Sequence, residues 1–193
     1  MRKTGLAIAL ALLTPAIALA QPVESRAAKK MLFSERGAEV VVADVDFLDD
    51  SAKTALKQAA GQIPYYGAIA VSPGEPTSAN LMSTMANFHT SEAASAAALA
   101  NCNARRTSGG PCVVIATVLP KRYRPEALTM SLQATQAFNK QYRKMKEPKG
   151  MAISPTVGAY GYDRGDGGRA ISICNAAAAR EGASDCRLVV ADQ

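Results

Sequence analysis

The sequence predicts an α+β fold of two related strand–strand–helix–strand modules, each with an intramodule disulfide, preceded by a strand–helix unit. The first observation is a motif written twice, since residues 70–73 (Ala-Val-Ser-Pro) recur as residues 152–155 (Ala-Ile-Ser-Pro). In each copy an alanine-rich stretch then ends in Cys-Asn, and a second cysteine enters an apolar run. A repeat of this kind indicates the architecture and the places of the disulfides.

Residues 1–20 have the pattern of a secretory signal peptide. Arg2 and Lys3 precede an apolar run that ends at Leu13, and small residues before Gln21 form a cleavage site. The run is too short to span a bilayer, and no transmembrane segment is predicted in the mature chain. The expected location is the periplasm or the outside of the cell, where cysteines form disulfides.

The predicted organisation of the remaining chain has four parts. They are a leader with a strand–helix unit, a first module, a linking helix and a second module, over residues 21–64, 65–120, 121–149 and 150–193. The formal net charge of +6 over 193 residues is mildly basic and gives no argument for nucleic acid as a partner.

The stretch before the first module divides into a leader, a strand and a helix. Residues 21–34 are polar and of mixed charge, and we interpret them as a flexible leader. Residues 38–47 are rich in Val and predict a strand. Because residues 40–42 are all Val, this strand is expected to be central or covered on both faces. Asp49 offers a cap for a helix over residues 52–63.

Each module is predicted to run strand, strand, helix, strand. The expected bounds are 67–71, 86–89, 91–102 and 111–119 in the first module, and 151–154, 158–162, 169–179 and 187–191 in the second. Alanine favours helix and lets a helix lie close on a sheet, but it leaves few large side chains for each core. A covalent link in each module would compensate for a thin core.

A linking helix is predicted over residues 125–146, with Leu128, Phe138 and Tyr142 on its apolar face. Cations gather towards its end, namely Lys140, Arg143, Lys144, Lys146 and Lys149. They either interact favourably with the helix dipole or form a docking patch for an acidic partner, and the sequence leaves both interpretations open.

Four cysteines allow three disulfide pairings. If each module is self-contained, each pair closes within its module, which selects Cys102–Cys112 and Cys174–Cys186. Each bridge would close a loop of about ten residues and contribute about 3 kcal/mol in the chain-entropy model. A redox pair or a zinc site is disfavoured because Cys-x-x-Cys is absent and the chain has a single histidine.

His89 is that single histidine. A catalytic histidine needs a nucleophile or a carboxylate within hydrogen-bond reach, and nothing in the sequence places one there. We therefore interpret His89 as a structural or surface residue and assign no catalytic residue.

Residues 158–169 form the most unusual local stretch. Tyr160 and Tyr162 would face one way on a strand, and Asp163 and Asp166 follow in a glycine-rich loop that opens a helix. Tyrosine rings can stack on a sugar or a peptide, and loop amides or carboxylates can hold polar groups. These four residues are candidate contacts for a ligand or partner, and the alternative is a plain strand and turn with exposed tyrosines.

No cofactor and no metal site are predicted. The glycine-rich loop matches neither a Gly-x-Gly-x-x-Gly fingerprint nor a Gly-Lys-Ser/Thr phosphate loop. Its two aspartates are too few for an EF-hand.

Several segments resemble a small secreted bacterial domain family of unknown function. Residues 67–70 (Gly-Ala-Ile-Ala), residues 158–162 (Gly-Ala-Tyr-Gly-Tyr), and the alanine-rich helix with its cysteine pair carry the resemblance. Residues 150–192 would be one copy and residues 65–119 a diverged one. The resemblance implies an exported, disulfide-bonded αβ module and supplies no catalytic residues.

The chain also resembles proteins that bear the label aminolevulinate synthase, through residues 37–44 and 101–106. That reaction needs pyridoxal phosphate, a Schiff-base lysine and a partner for the pyridine nitrogen in a much larger fold. We therefore do not expect this activity here.

The sequence thus predicts an exported, non-catalytic binding or interaction protein of the cell envelope, whose partner is an envelope protein or a glycan. The alternative is a small envelope enzyme, a hydrolase or isomerase, that uses His89 or the Asp163/Asp166 loop. A deep pocket gathering His89 and distant acids would favour the enzyme. A shallow groove with exposed Tyr160 and Tyr162 would favour binding.

Overall fold

The computed structural model describes residues 21–75 and 82–193, so the predicted signal peptide lies outside the described residues. The helices are α1 (Ser25–Met31), α2 (Asp50–Ala60), α3 (Ser91–Arg105), α4 (Leu132–Lys140) and α5 (Gly168–Ala178). The strands are β1 (Ala38–Val42), β2 (Gly67–Val71), β3 (Ser83–Met85), β4 (Val113–Pro120), β5 (Lys149–Ile153), β6 (Tyr160–Arg164) and β7 (Arg187–Asp192). Short 3₁₀ turns, Tyr142–Lys144 and Ala179–Glu181, follow α4 and α5. The predicted α+β class is confirmed.

The strands form two antiparallel sheets, one for each module. Their orders are β1-β4-β2-β3 and β6-β5-β7. In both modules the first strand is central, the second lies at an edge, and the third follows the helix on the other side. The predicted strand–strand–helix–strand modules are therefore present.

The two modules share an irregularity in the same place. The pairing of β2 with β4 shifts register between Ile69 and Ala70, and the pairing of β5 with β7 shifts between Met151 and Ala152. Both shifts fall where the twice-written motif begins. A shift of this kind interrupts the regular ladder, as a β-bulge does, so the interruption falls at the same place of the motif in both sheets.

The predicted disulfides, Cys102–Cys112 and Cys174–Cys186, are both present, with Cα–Cα distances of 6.1 and 6.0 Å. The asparagine after each first cysteine has the same function in both modules. Its side-chain oxygen accepts a hydrogen bond from the backbone N–H of the second cysteine, at 3.1 Å in each case. The Cys-Asn pair thus fixes the loop that the bridge closes.

Each central strand separates two small cores because successive side chains point to opposite faces of a sheet. On one face α3 packs its alanines against Ala68 and Ala70, and α5 packs against Ala152. On the other face Ile69 belongs to the core that α2 covers, and Met151 belongs to the core that α4 covers. The module supplies one layer of helix, and the unrepeated segments supply the other.

The interpretation of residues 21–34 as a flexible leader is wrong. Val23 bridges to Val190 of β7 in parallel orientation, and the Ser25 backbone N–H donates to the Asp192 carboxylate at 2.8 Å. Ala28 of α1 is fully buried in the same core as Met151. These partners lie far away in sequence, so the local polar composition gave no sign of them.

The linking helix is also shorter than predicted. Ser131 accepts a hydrogen bond from the Ala134 N–H at 3.1 Å and caps α4, so the predicted helix over residues 125–146 begins only at Leu132. Leu128 and Met130 precede the cap and are nonetheless buried. The apolar spacing before Leu132 therefore reflects burial against the second sheet and does not indicate a helix.

Two strand predictions need correction. The strand predicted over residues 38–47 is neither central nor covered on both faces, because β1 lies at a sheet edge and leaves Val41 53% exposed. The strand predicted over residues 86–89 lies earlier, at β3. Asn87 has a φ of 64°, a left-handed conformation that regular strands do not adopt.

Candidate binding groove

A groove of about 610 Å³ lies beside β6, the edge strand of the second sheet. Residues that line it include Asn87, Gln133, Tyr160, Tyr162, Ile173 and Ala177. They come from the first module, from α4, from β6 and from α5. The groove is therefore built only when both modules and the linking segment are in place.

The floor of the groove includes backbone groups of β6 that form no hydrogen bonds with β5. Ser154 N–H donates to Ala159 O at 3.0 Å, and Gly165 N–H donates to Pro148 O at 2.7 Å. Hydrogen-bonded and non-hydrogen-bonded pairs alternate in an antiparallel ladder, so the N–H and C=O of Tyr160 and Tyr162 point away from β5. Within the described part of the chain these groups have no hydrogen-bond partner.

The two tyrosine side chains are held in position. Both pack against the core around Phe138, and burial, followed by the neighbouring Tyr162, raises the pKa of Tyr160. The Tyr162 hydroxyl hydrogen-bonds the Gln141 side-chain oxygen. The rings are half-buried and pre-ordered, which lowers the entropy cost of a contact.

Two glycines allow the walls to approach the floor. A Cβ on Gly161 would lie 2.5 Å from the Cys174 backbone nitrogen, so only glycine lets α5 lie this close to β6. A Cβ on Gly158 would lie 2.4 Å from Asn87 O. Gly158 thus permits the contact between the modules at one end of the groove.

The α5 wall presents an apolar surface with a charged end. Ile173 is 42% exposed and is one of the large apolar side chains at the surface. Ala177 continues the wall, and Arg180 and Glu181 follow it. Exposed apolar side chains beside a polar end are typical of contact surfaces.

The structure separates the two candidate aspartates from the groove. Asp163 forms an ion pair with Arg169, with Oδ2 2.5 Å from Nε. Asp166 accepts a hydrogen bond from the Gly168 N–H at 3.0 Å, at the start of α5. Both aspartates therefore stabilise the loop that precedes α5. Of the four candidate contacts, Tyr160 and Tyr162 line the groove.

His89 lies at the junction of the modules and is 1% exposed. The Ser131 backbone N–H donates to Nδ1 at 2.9 Å, so the proton is on Nε2, which donates to Ala159 O at 2.9 Å. Burial lowers the pKa of His89 to about 4. His89 is therefore a neutral structural residue, as one of its two predicted interpretations requires.

Two further residues of the first module, Tyr65 and Asn87, complete the junction by capping α4. Leu132 N–H donates to Tyr65 O at 3.2 Å, and Gln133 N–H donates to the Asn87 side-chain oxygen at 3.0 Å. The first turn of a helix has no partners of its own for these groups. The first module therefore fixes a helix that lies over the second sheet.

Sequence reasoning missed most of the groove. Asn87, Gln133 and Ile173 come from three separate elements, and no local pattern joins them. The one available signal was Ile173, a large apolar residue directly before the cysteine of an alanine-rich helix. Its place on the exposed side of α5 depends on how that helix packs.

In the described ranges, no cluster of three or more His, Cys, Asp or Glu side chains is placed to hold a metal ion. None of the helices in these same ranges has the length and apolar character needed to cross a membrane.

Comparison with protein-family models, with curated proteins and with solved structures gives no match for this chain.

Proposed function

We propose that the protein is exported and acts at the cell envelope as a non-catalytic binding protein, with the groove beside β6 as its contact surface. The observation that carries the proposal is the place of Tyr160 and Tyr162, which lie in an open groove with walls from both modules. Tyrosine is enriched at binding sites because a rigid ring buries much area at little entropy cost.

The two disulfides support an oxidising location, because such bridges persist in the periplasm and outside the cell. The matching registers of the two sheets support the proposal that each module is a copy of one small secreted domain. Duplication also accounts for the equal places of both bridges.

The enzyme alternative has less support. Both ring nitrogens of His89 are engaged with backbone groups, and burial keeps its pKa near 4, so it has no free site to accept a proton. Asp163 and Asp166 are engaged with Arg169 and with the start of α5. No two of these groups face each other across the groove.

The test uses residues 21–193 as bait for envelope extracts, with binding compared between variants. Ile173→Glu places a charge on the α5 wall without disturbing the core, whereas the tyrosines pack on the core and would confound the result. We expect Ile173→Glu to lose the captured partner by about tenfold or more. Ser172→Glu is the matched control, since Ser172 is exposed on the same helix and does not line the groove.

Equal capture by the wild type and Ile173→Glu would show that the groove is not the contact surface. Turnover of envelope esters or peptides that is lost on His89→Gln, with the fold intact, would favour the enzyme instead.

A further inference from the structure

Building on the proposed function, we infer that the groove binds an extended, acidic peptide segment of a partner protein, which pairs with β6 as an additional antiparallel strand. Strand addition needs an edge with free backbone groups, walls that accept alternate side chains, and a feature that selects the partner. Each of these is present beside β6.

The free backbone comes first. The N–H and C=O of Tyr160 and Tyr162 point away from β5 and have no partner within the described residues. Natural proteins cover or charge such edges because an open edge pairs with another chain. The opposite edge of this sheet is covered, since Val23 accepts from Ala191 N–H at 3.0 Å beside β7.

In the first module, a side chain covers the equivalent edge of the sheet. Ala70 pairs with Ser83 as Ala152 pairs with Gly161, so Met82 takes the place of Tyr160. The Arg105 guanidinium donates to Met82 O at 3.4 Å and occupies that edge.

Helices α3 and α5 differ at the two positions that lie beside these sheet edges. Arg105 follows Cys102 by three residues, and Ala177 follows Cys174 by three. Asn101, which accepts a hydrogen bond from Ser83 at 3.0 Å, takes the place of Ile173. The second module thus has small and apolar residues where the first has a polar cover.

The walls suit an extended peptide. Side chains alternate along a strand, so successive residues of an added strand point towards α5 and towards the tyrosines in turn. Ile173 and Ala177 offer apolar contact on one side, and the rings of Tyr160 and Tyr162 on the other. Asn87 closes the end next to Tyr160.

The charge near the other end selects an acidic segment. β6 ends in exposed Arg164, and the chain runs from Gln141, which contacts Tyr162, into exposed cations. These are Arg143, Lys144 and Lys146, and neither they nor Arg164 form an ion pair within the described ranges. An antiparallel strand begins at the Arg164 end, so its acidic residues precede the paired segment.

The first experiment selects ligands from phage-displayed random peptides of about eight residues, longer than a typical strand. We expect enriched peptides to carry Asp or Glu before a β-branched or aromatic core. Ala177→Arg copies the cover of the first module and should weaken their binding by about tenfold or more. Ala176→Arg adds the same charge at an exposed neighbour outside the groove and should leave binding within about twofold.

The second experiment does not depend on any variant folding. A selected peptide is made with N-methyl groups at successive positions, and each is titrated against the wild-type chain. Residues whose N–H faces β6 should lose about tenfold in affinity, and the residues between them should not, because only alternate amides pair with an edge.

Several outcomes would overturn strand addition. They are selected peptides that bind Ala177→Arg as well as wild type, a uniform N-methyl profile, and enriched peptides without acidic residues. A dimer by analytical ultracentrifugation that Ala177→Arg abolishes would instead make the second copy the occupant. If any of these holds while Ile173→Glu still loses the envelope partner, the groove is a binding site of another kind. If Ile173→Glu retains the partner, the proposed function fails as well.

Discussion

The two modules have the same strands, register shift and disulfide, but each is completed by different neighbours. In the first, β1 and α2 come directly before the module and extend its sheet on the side of β4. In the second, the core is closed by α4 and by α1, whose chain begins more than a hundred residues earlier. A small module that buries one face needs a partner for the other, and the two modules recruit that partner from different distances.

In each module a carboxylate holds the loop between the two cysteines, but the carboxylate comes from a different side of that contact. In the first, Glu75 follows the central strand and accepts hydrogen bonds from the N–H groups of Thr107, Ser108 and Gly109. In the second, Asp185 lies in the loop itself and accepts from Ser154 and Thr156, which follow the central strand. The contact is retained while its charged member has changed sides.

The largest expected effect tests whether the modules depend equally on their bridges. Replacing Cys102 and Cys112 by serine, or Cys174 and Cys186, should each lower the free energy of unfolding by about 3 kcal/mol, because the closed loops are similar in length. Urea titration of each pair of substitutions measures this. A loss confined to one pair would show that the other module is held by its neighbours alone.

The next effect is a pH dependence of stability, which comes from His89 at the junction of the two modules. The pKa of His89 is lowered from 6.5 to about 4, so the unfolded chain binds the proton more tightly than the folded one. The contribution of the neutral His89 ring to the free energy of unfolding is fully present above pH 6.5. It is lost as the pH falls towards 4, by on the order of 3 kcal/mol.

Urea midpoints between pH 4 and 7 measure this loss, and His89→Gln is the control because glutamine does not titrate. We expect the slope over this window to be nearly flat in the variant. An equal slope in both proteins would assign the loss to other groups.

A smaller effect concerns the two carboxylates. Burial alone would raise the pKa of Asp185, but hydrogen bonds from Ser154 and Thr156 outweigh it and lower the pKa. Asp185→Asn should cost about 1 kcal/mol, because the carboxylate is exposed and screened. Calorimetry at neutral pH would detect it, and an unchanged melting temperature would remove Asp185 from the comparison.

Glu75 is expected to act locally. Backbone hydrogen bonds, that from Gly109 first, lower its pKa to about 2, so its contribution is present above the ordinary value of 4.5 and is lost as the pH falls through about 2. Glu75→Gln should reduce amide-exchange protection at residues 107–109 and leave the amides of Ser154 and Thr156 unchanged. Equal exchange in the variant and the wild type would contradict this assignment.

The smallest effect sharpens the comparison of the two edges. Arg105→Ala uncovers Met82 O, yet the bond is long and exposed, so stability should change by less than about 0.5 kcal/mol. Peptides selected on the wild type should gain no second site, because β3 is short and Asn101 stands where the groove has Ile173. Titration calorimetry that finds two sites would show that an open edge alone is enough.

The sequence by itself determined what is local or repeated. The disulfide pairing followed from the twice-written pattern, and the α2 helix followed from its cap and apolar spacing, because each of these depends on residues close together in the chain. Tyr160 and Tyr162 were found from one short stretch, and their role as contacts stays a prediction. The repeat also indicated strand–strand–helix–strand order, because the same pattern buries the same faces.

Only the tertiary structure decided the rest. Val23 pairs with Val190, and His89 joins Ser131 to Ala159, across separations that leave no periodic trace in the sequence. The exposure of β1 depends on which strand stands beside it rather than on its own valines. The groove exists because Gly158 and Gly161 allow close approach of elements far apart in the chain, and such approach is a property of packing that composition and spacing do not encode.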